Sequence, residues 1–332
     1  MPLNYQALAG DFVRALRGKR SQVALSRRLR YSTNVVYAWE SGRRSPTAAT
    51  LFAAEARLNP PARDALRNFF ASPPSWLAEV SLGTAAGVAR LLDEVRGNTP
   101  VVELARRTGF SRYAIARWLS GAAEPRLPDF FALFEAASLR LLDFVAMFHD
   151  PLTLPSAKRA WQAVQAHRRS AYELPWLPAV SRALELRHYA ELPRHVPGWI
   201  AEHLGISLED ETRCLAALQE SGQIVRKRGR YLPASALSVD TRSDPARERQ
   251  LKEWWARVGI ERLAQGSPGQ FSFNVFSVSS SDLERLRDLH QSYFRQMRAI
   301  IAASEPAEHV VVANVQLFDL AAIARRKREE AV

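Results

Sequence analysis

Cysteine is nearly missing from this 332-residue chain; Cys214 is the one example. A single thiol excludes an intrachain disulfide and any zinc site built from several cysteines of one chain. Its place in a helical pattern marks it as a small core residue. Long apolar runs are missing as well. No stretch approaches the ~18 residues that a membrane-spanning helix needs, and the opening "MPLNYQALAG" has no basic segment leading into an apolar one. A cytoplasmic protein without a membrane partner is therefore expected. There is no phosphate-binding glycine loop, no dinucleotide glycine fingerprint and no nucleophile elbow. His188, His195 and His203 stand seven and eight residues apart with no matching carboxylate or cysteine pattern, which reads as ordinary surface or core histidine. These absences argue against an enzyme, and no metal or cofactor is expected.

Negative charge is also in short supply. Asp and Glu total 34 against 46 Lys and Arg, a net charge of +12. Without an amphipathic membrane helix, such a surplus points to nucleic acid as the polyanion it meets. Solubility alone would spread the charge, but it is concentrated. The first 47 residues hold Arg14, Arg17, Lys19, Arg20, Arg27, Arg28, Arg30, Arg43 and Arg44 against Asp11 and Glu40. Composition is otherwise that of a soluble globular chain, and the length allows two or three domains.

Two stretches of the chain echo one another. An ungapped offset of 79 positions carries Leu25, Arg27, Arg28, Ser32, Trp39, Ser41, Gly42 and Pro46 onto the identical Leu104, Arg106, Arg107, Ser111, Trp118, Ser120, Gly121 and Pro125. The pattern predicts one small helical unit duplicated once. In each copy an amphipathic helix (about Tyr5 to Arg17; Thr84 to Arg96) precedes a short helix (Gln22 to Leu29; Val101 to Thr108). A tight turn then leads into a third helix starting near Ser32 or Ser111, serines suited to capping it. Val36 with Trp39, and Ile115 with Trp118, fall three apart on one inner face. Gly42 or Gly121 stops the helix, and Pro46 or Pro125 prevents its continuation.

Two short helices joined by a tight turn make a helix-turn-helix. "SQVALSRRLRYSTNVVYAWESGRRSP" resembles the DNA-binding domain of the phage repressor and Cro-like (XRE) family, including the Gln that opens helix two and the Trp-Glu-x-Gly that closes helix three. The likeness covers about Leu3 to Asn59. The second copy, about Ser81 to Asp150, keeps the spacing and departs in chemistry: Val101 replaces Gln22 and Leu119 replaces Glu40. In the family that Gln anchors a phosphate or braces a neighbouring contact, so the change places DNA reading by the second copy in question, although Arg106, Arg107, Arg112, Arg117 and Arg126 keep it basic.

The start of a recognition helix meets base edges in the major groove. In the first copy Thr33, Asn34 and Tyr37 are the outward candidates; Asn suits adenine and Thr the thymine methyl. Gln22, Arg43 and Arg44 are placed for backbone phosphates, which position without specifying. In the second copy the candidates are Arg112, Tyr113 and Arg117, where an Arg suits guanine. Trp39 and Trp118 are read as core.

Beyond Pro151 a proline-bounded helical connector (151–177) leads to "PGWIAEHLGISLEDETRCLAALQESGQIVRKRGRYLPA", which resembles a winged helix with Gly229 at the wing tip. Arg226, Lys227, Arg228 and Arg230 suit phosphates, whereas Glu209, Asp210 and Glu211 at the helix start suit the helix dipole and repel DNA. A contact with DNA and a packing or dimerising role both stay open for this module. Next come a helix around "LKEWWARVGIERL", a strand "FSFNVFSVS", a helix over "SSDLERLRDLHQSYFRQMRAIIAAS" capped by Ser281 or Asp282, and a strand "HVVVANVQLFDL". This half resembles the C-terminal domain of uncharacterised regulators of Fibrobacter and myxobacterial-type bacteria, which implies regulation and no particular site.

The expectation is a mainly α chain: two tandem helix-turn-helix bundles (1–75 and 76–150), the connector, a winged helix (178–240) and a small α+β regulatory or dimerisation domain (241–332). The function expected is that of a transcription regulator that binds double-stranded DNA in a sequence-specific way, a repressor acting as a homodimer, with a protein or small-molecule effector. The alternative is an adaptor that uses the helix-turn-helix scaffold to hold a protein partner.

Overall fold

The computed structural model describes residues 3–59, 66, 69–70, 74, 76–234 and 244–321. Among them the chain is mainly helical, with one two-stranded sheet. It divides into two compact units, one running up to Ser170 and the other comprising Ala171–Ala234 and residues from 244 onward.

In the first unit the repeat is visible as two sets of four helices. The first set is α1 (Tyr5–Arg17), α2 (Gln22–Arg28), α3 (Val35–Glu40) and α4 (Ala48–Leu58). After the short α5 (Trp76–Glu79), the second set is α6 (Ala85–Arg96), α7 (Val101–Thr108), α8 (Arg112–Leu119) and α9 (Leu127–Ser138). Side-chain oxygens satisfy the free N–H groups at several helix starts: Asn4, Ser21 and Thr47 in the first set, Thr84 and Ser111 in the second. Gly42 and Gly121 follow α3 and α8 at φ +73° and +74°, a left-handed backbone that glycine adopts without strain. One aromatic pair is duplicated as well. Tyr31 meets Trp39 edge-on at 5.6 Å, and Phe110 meets Trp118 in the same way at 5.2 Å.

One start differs from expectation. Ser32 does not cap α3; Asn34 does, its Oδ1 accepting from Tyr37 N at 3.3 Å. The buried Ser26 accounts for the shift. Its hydroxyl donates to Gln22 O and accepts from Val36 N, holding the chain out of the helix until Val35. The second set has Ala105 at that position, and α8 begins directly after Ser111.

Both sets share one hydrophobic core, extending from Leu8 to Trp161. Its centre is a cluster of rings. Phe52 lies 5.2 Å from Phe130 and 5.7 Å from Phe144, and Phe12 lies 5.8 Å from Phe131. A fully buried Phe contributes on the order of 1.5–3 kcal/mol relative to an exposed one, so this cluster is a substantial part of what stabilises the unit. The core is closed by α10 (Leu141–Ala146), a 3-10 turn at Pro151–Thr153 and α11 (Lys158–Glu173), whose Arg168 pairs with Asp143. Asp11, buried in α1, accepts from Ser156 N and Oγ at 2.8 and 2.6 Å and so ties the connector to the first helix.

The second unit has its own core, formed by α12 (Leu177–Ala183), α13 (Arg187–Ala190), α14 (Trp199–Leu204) and α15 (Leu208–Glu220) around Val180, Ile200 and Leu218. A hairpin of β1 (Ile224–Lys227) and β2 (Arg230–Pro233) follows, with Lys227 opposite Arg230. Arg228 and Gly229 both take positive φ, the pattern of a two-residue turn whose twist matches the strands. Then come α16 (Pro245–Ala264) and α17 (Ser280–Ala303). The cap of α17 is Ser279 rather than Ser281 or Asp282. The strands expected at 271–279 and 309–320 are not formed; those described residues are irregular apart from the turn that begins at Leu320. Strand preference reflects fit to a half-buried pleated surface, and here there is none: Phe273 is 94% and Val311 79% exposed.

Candidate nucleic-acid interface

The first set of helices places α3 through a polar hub on its last residue. Glu40 is buried, and its carboxylate receives Arg17 from α1 and Gln22 from the start of α2, the latter at 2.7 Å. Its carbonyl accepts from Arg14 Nη2 at 3.0 Å. Three helices are thereby locked together on one side chain. In the second set the hub is apolar. Val101 and Leu119 pack against the core, and Arg96, the counterpart of Arg17, turns to Asp93 and to Thr99 O. The two departures noted in the sequence are thus one coupled change. Gln22 braces Glu40 directly, as the family resemblance allowed, and is itself half-buried.

With α3 so fixed, Thr33, Asn34 and Tyr37 are exposed along its start and outer face, and Arg43 and Arg44 are exposed just past its end. Arg43 lies over the Tyr37 ring at 5.3 Å, a cation–π contact that orients both side chains. Asn34 carries two tasks at once. Its Oδ1 accepts from the Tyr37 amide and lies 3.2 Å from the Ser26 oxygen, which crowds its other side. A bidentate contact with adenine needs that oxygen, so only the NH2 half of the side chain is available to a base edge. Beside this face lies a groove of about 740 Å³ bordered by Thr33, Asn34, Arg43, Arg44, Arg126 and Asp129.

On the second set, Arg112, Tyr113 and Arg117 are exposed along α8, with Arg117 over the Tyr113 ring at 5.6 Å. Arg106 and Arg107 leave less net positive charge at the surface than the sequence implied, because an acid neutralises part of it. Both bond Glu103, at 2.6 and 2.7 Å, and these guanidiniums hold its carboxyl down at about 2. The first set has Ala24 where Glu103 stands, so Arg27 and Arg28 have no carboxylate at that position. The two faces thus share a framework and differ in charge.

In the second unit Arg226, Lys227 and Arg228 are exposed on the hairpin, and Arg226 sits 5.7 Å over Tyr231. The expected acidic triplet does not face solvent together. Glu211 is buried: it accepts from Gly198 N and Ala201 N at 3.0 and 2.6 Å, satisfying the start of α14, and stands 3.4 Å from His195. Asp210 closes a capping pair with Ser207, which leaves Glu209 as the exposed acid. Burial lowers the pKa of His195. His203 stacks on Trp199 and bonds its carbonyl. Among the described residues no three His, Cys, Asp or Glu side chains are grouped to hold a metal ion.

Residues 13–61, which span the hub, α3 and its basic flank, match the family model described as helix-turn-helix. Residues 156–320 match the model of a domain of unknown function, DUF4423. No curated protein and no solved structure matches the chain. The helix-turn-helix match supports a DNA-binding regulator. No helix among the described residues is long and apolar enough to cross a membrane.

Proposed function

We propose that this chain is a sequence-specific transcription regulator of the cytoplasm, a repressor that occupies promoter DNA, and that it is not an enzyme. The observation that carries the reading is the exposed start of α3, flanked by Arg43 and Arg44, within the segment matching the helix-turn-helix model. Phosphate contacts from Gln22, Arg43 and Arg44 supply salt-dependent affinity, and Thr33, Tyr37 and the Asn34 amide supply preference. The second set of helices is read as a divergent second head, with Arg112, Tyr113 and Arg117 toward DNA. Residues 197–234 are read as a winged helix whose Arg226, Lys227 and Arg228 add phosphate contacts. Homodimerisation falls to the C-terminal residues, and an effector, protein or small molecule, would act there.

The test is binding to the region upstream of the protein's own gene, together with a reporter driven by that region. Specific binding with falling transcription is expected. Binding that is equal on all sequences, or a rise in transcription, contradicts the repressor reading.

A second reading, an adaptor holding a protein partner, is favoured by the apolar side chains that residues 244–321 expose, Phe273, Val275 and Phe318 among them. It requires a fixed copurifying protein and no salt-dependent affinity for DNA.

A further inference from the structure

The two sets of helices meet through equivalent residues. Thr47 and Arg126, 79 positions apart and therefore the same place in each repeat, face each other in an antiparallel bridge. Ala48 N donates to Pro125 O at 3.1 Å, and Leu127 N donates to Pro46 O at 2.9 Å. Because Pro125 and Leu127 are the counterparts of Pro46 and Ala48, these two bonds are the same bond made in both directions. The helices repeat the exchange: α1 packs on α9, its counterpart α6 packs on α4, and α4 meets α9.

Reciprocal contact of this kind is the mark of an isologous interface, in which residue i of one copy meets j of the other and j meets i. A repeat stacked by simple translation would instead join the end of one copy to the start of the next. An approximate two-fold axis therefore passes between Thr47 and Arg126. It relates α3 to α8, and it lies inside one chain, sealed by the Phe12, Phe52, Phe130 and Phe131 rings.

Helix-turn-helix proteins obtain two recognition helices by dimerising, and their operators mirror that symmetry in two inverted half-sites. We infer that one copy of this chain reads a double-stranded DNA site of two unequal half-sites in inverted orientation, one through α3 and the other through α8. The half-sites are unequal because the faces are: Thr33, Tyr37 and Arg43 on the first, Arg112, Tyr113 and Arg117 on the second. The inference rests on the DNA-binding reading above and adds to it the form of the site. A homodimer would then present four heads and span two such sites.

The full chain is used to select bound sequences from a library of random 40-base-pair duplexes, in parallel with Tyr37→Ala and Arg112→Ala, both at exposed positions. Thermal unfolding checks that each variant folds. The expected product is a site of two different halves, with Tyr37→Ala relaxing one half and Arg112→Ala the other. Replacing the guanine read by Arg112 with another base should weaken binding roughly 10- to 100-fold in the wild type and little in Arg112→Ala. Reversing one half in place should abolish the preference. A symmetric site whose two halves both respond to Tyr37→Ala, or a single half-site indifferent to Arg112→Ala, overturns the inference and leaves the DNA-binding reading intact. Failure to enrich any sequence overturns both.

Discussion

Gln22 and Glu40 are joined by a 2.7 Å hydrogen bond in the first repeat, and both positions turn apolar together, as Val101 and Leu119, in the second. A buried carboxylate is tolerated only while its partners remain, whereas two apolar residues of matching shape need none. Each repeat uses one consistent solution.

Glu40→Leu alone should therefore destabilise the first unit by about 2–4 kcal/mol, because Arg17 and Gln22 lose their acceptor. Adding Gln22→Val to it should cost less than the sum of the two single changes, by about 0.5–3 kcal/mol. Denaturant unfolding of the four proteins in this cycle measures the coupling; strict additivity would mean the hub is not a unit.

Asn34 separates into two roles by substitution. Asn34→Ser keeps a capping oxygen and removes the amide donor, so stability should change by no more than a few tenths of a kcal/mol. Asn34→Ala should lose about 1 kcal/mol as well. If the NH2 group meets a base, both variants lose the same sequence preference; thermal melts and competition binding distinguish the effects.

His195 provides a pH dependence. Its pKa is lowered in the folded state, chiefly by burial, with Arg226 acting the same way and Glu211 opposing. A base whose folded pKa lies below its unfolded value of about 6.5 binds its proton more readily when unfolded. Its contribution is thus present above pH ~6.5 and is lost as pH falls through the depressed folded pKa. Unfolding of the second unit should occur at lower temperature at pH 5 than at pH 7.5, and His195→Gln should flatten that difference.

Cys214 tests the second core. It is buried in α15, and desolvation, aided by Asp210, pushes its thiol up to about 12. A thiolate-dependent reagent should label the native chain at least about 100-fold more slowly than the chain in urea. Rapid native labelling would show that α15 is not packed as described.

Much of this was legible in the residues themselves. The offset from Trp39 to Trp118 announced the duplicated helices, because an inner-face aromatic and the glycine after it are dictated by local packing and backbone geometry. The polar hub was half visible: Gln22 and Glu40 differed from their counterparts, but only the fold brings residues 18 positions apart into contact. The cap shift from Ser32 to Asn34 depended on the Ser26 hydroxyl reaching across a turn. Buried Glu211 was misplaced for a similar reason, since its partners are main-chain N–H groups of another helix. The expected C-terminal strands failed because β-forming residues specify a strand only when a neighbour supplies its ladder. Reciprocal pairing of Thr47 with Arg126 had no signal beyond the repeat itself.

The most direct test of the central claim is the affinity of the full chain for duplex DNA measured across a range of salt concentrations. The prediction is a linear fall of log affinity with log salt, with Arg43→Ala and Arg44→Ala each reducing the slope by roughly one. Affinity that is absent, or that is indifferent to both salt and these two arginines, would contradict the account.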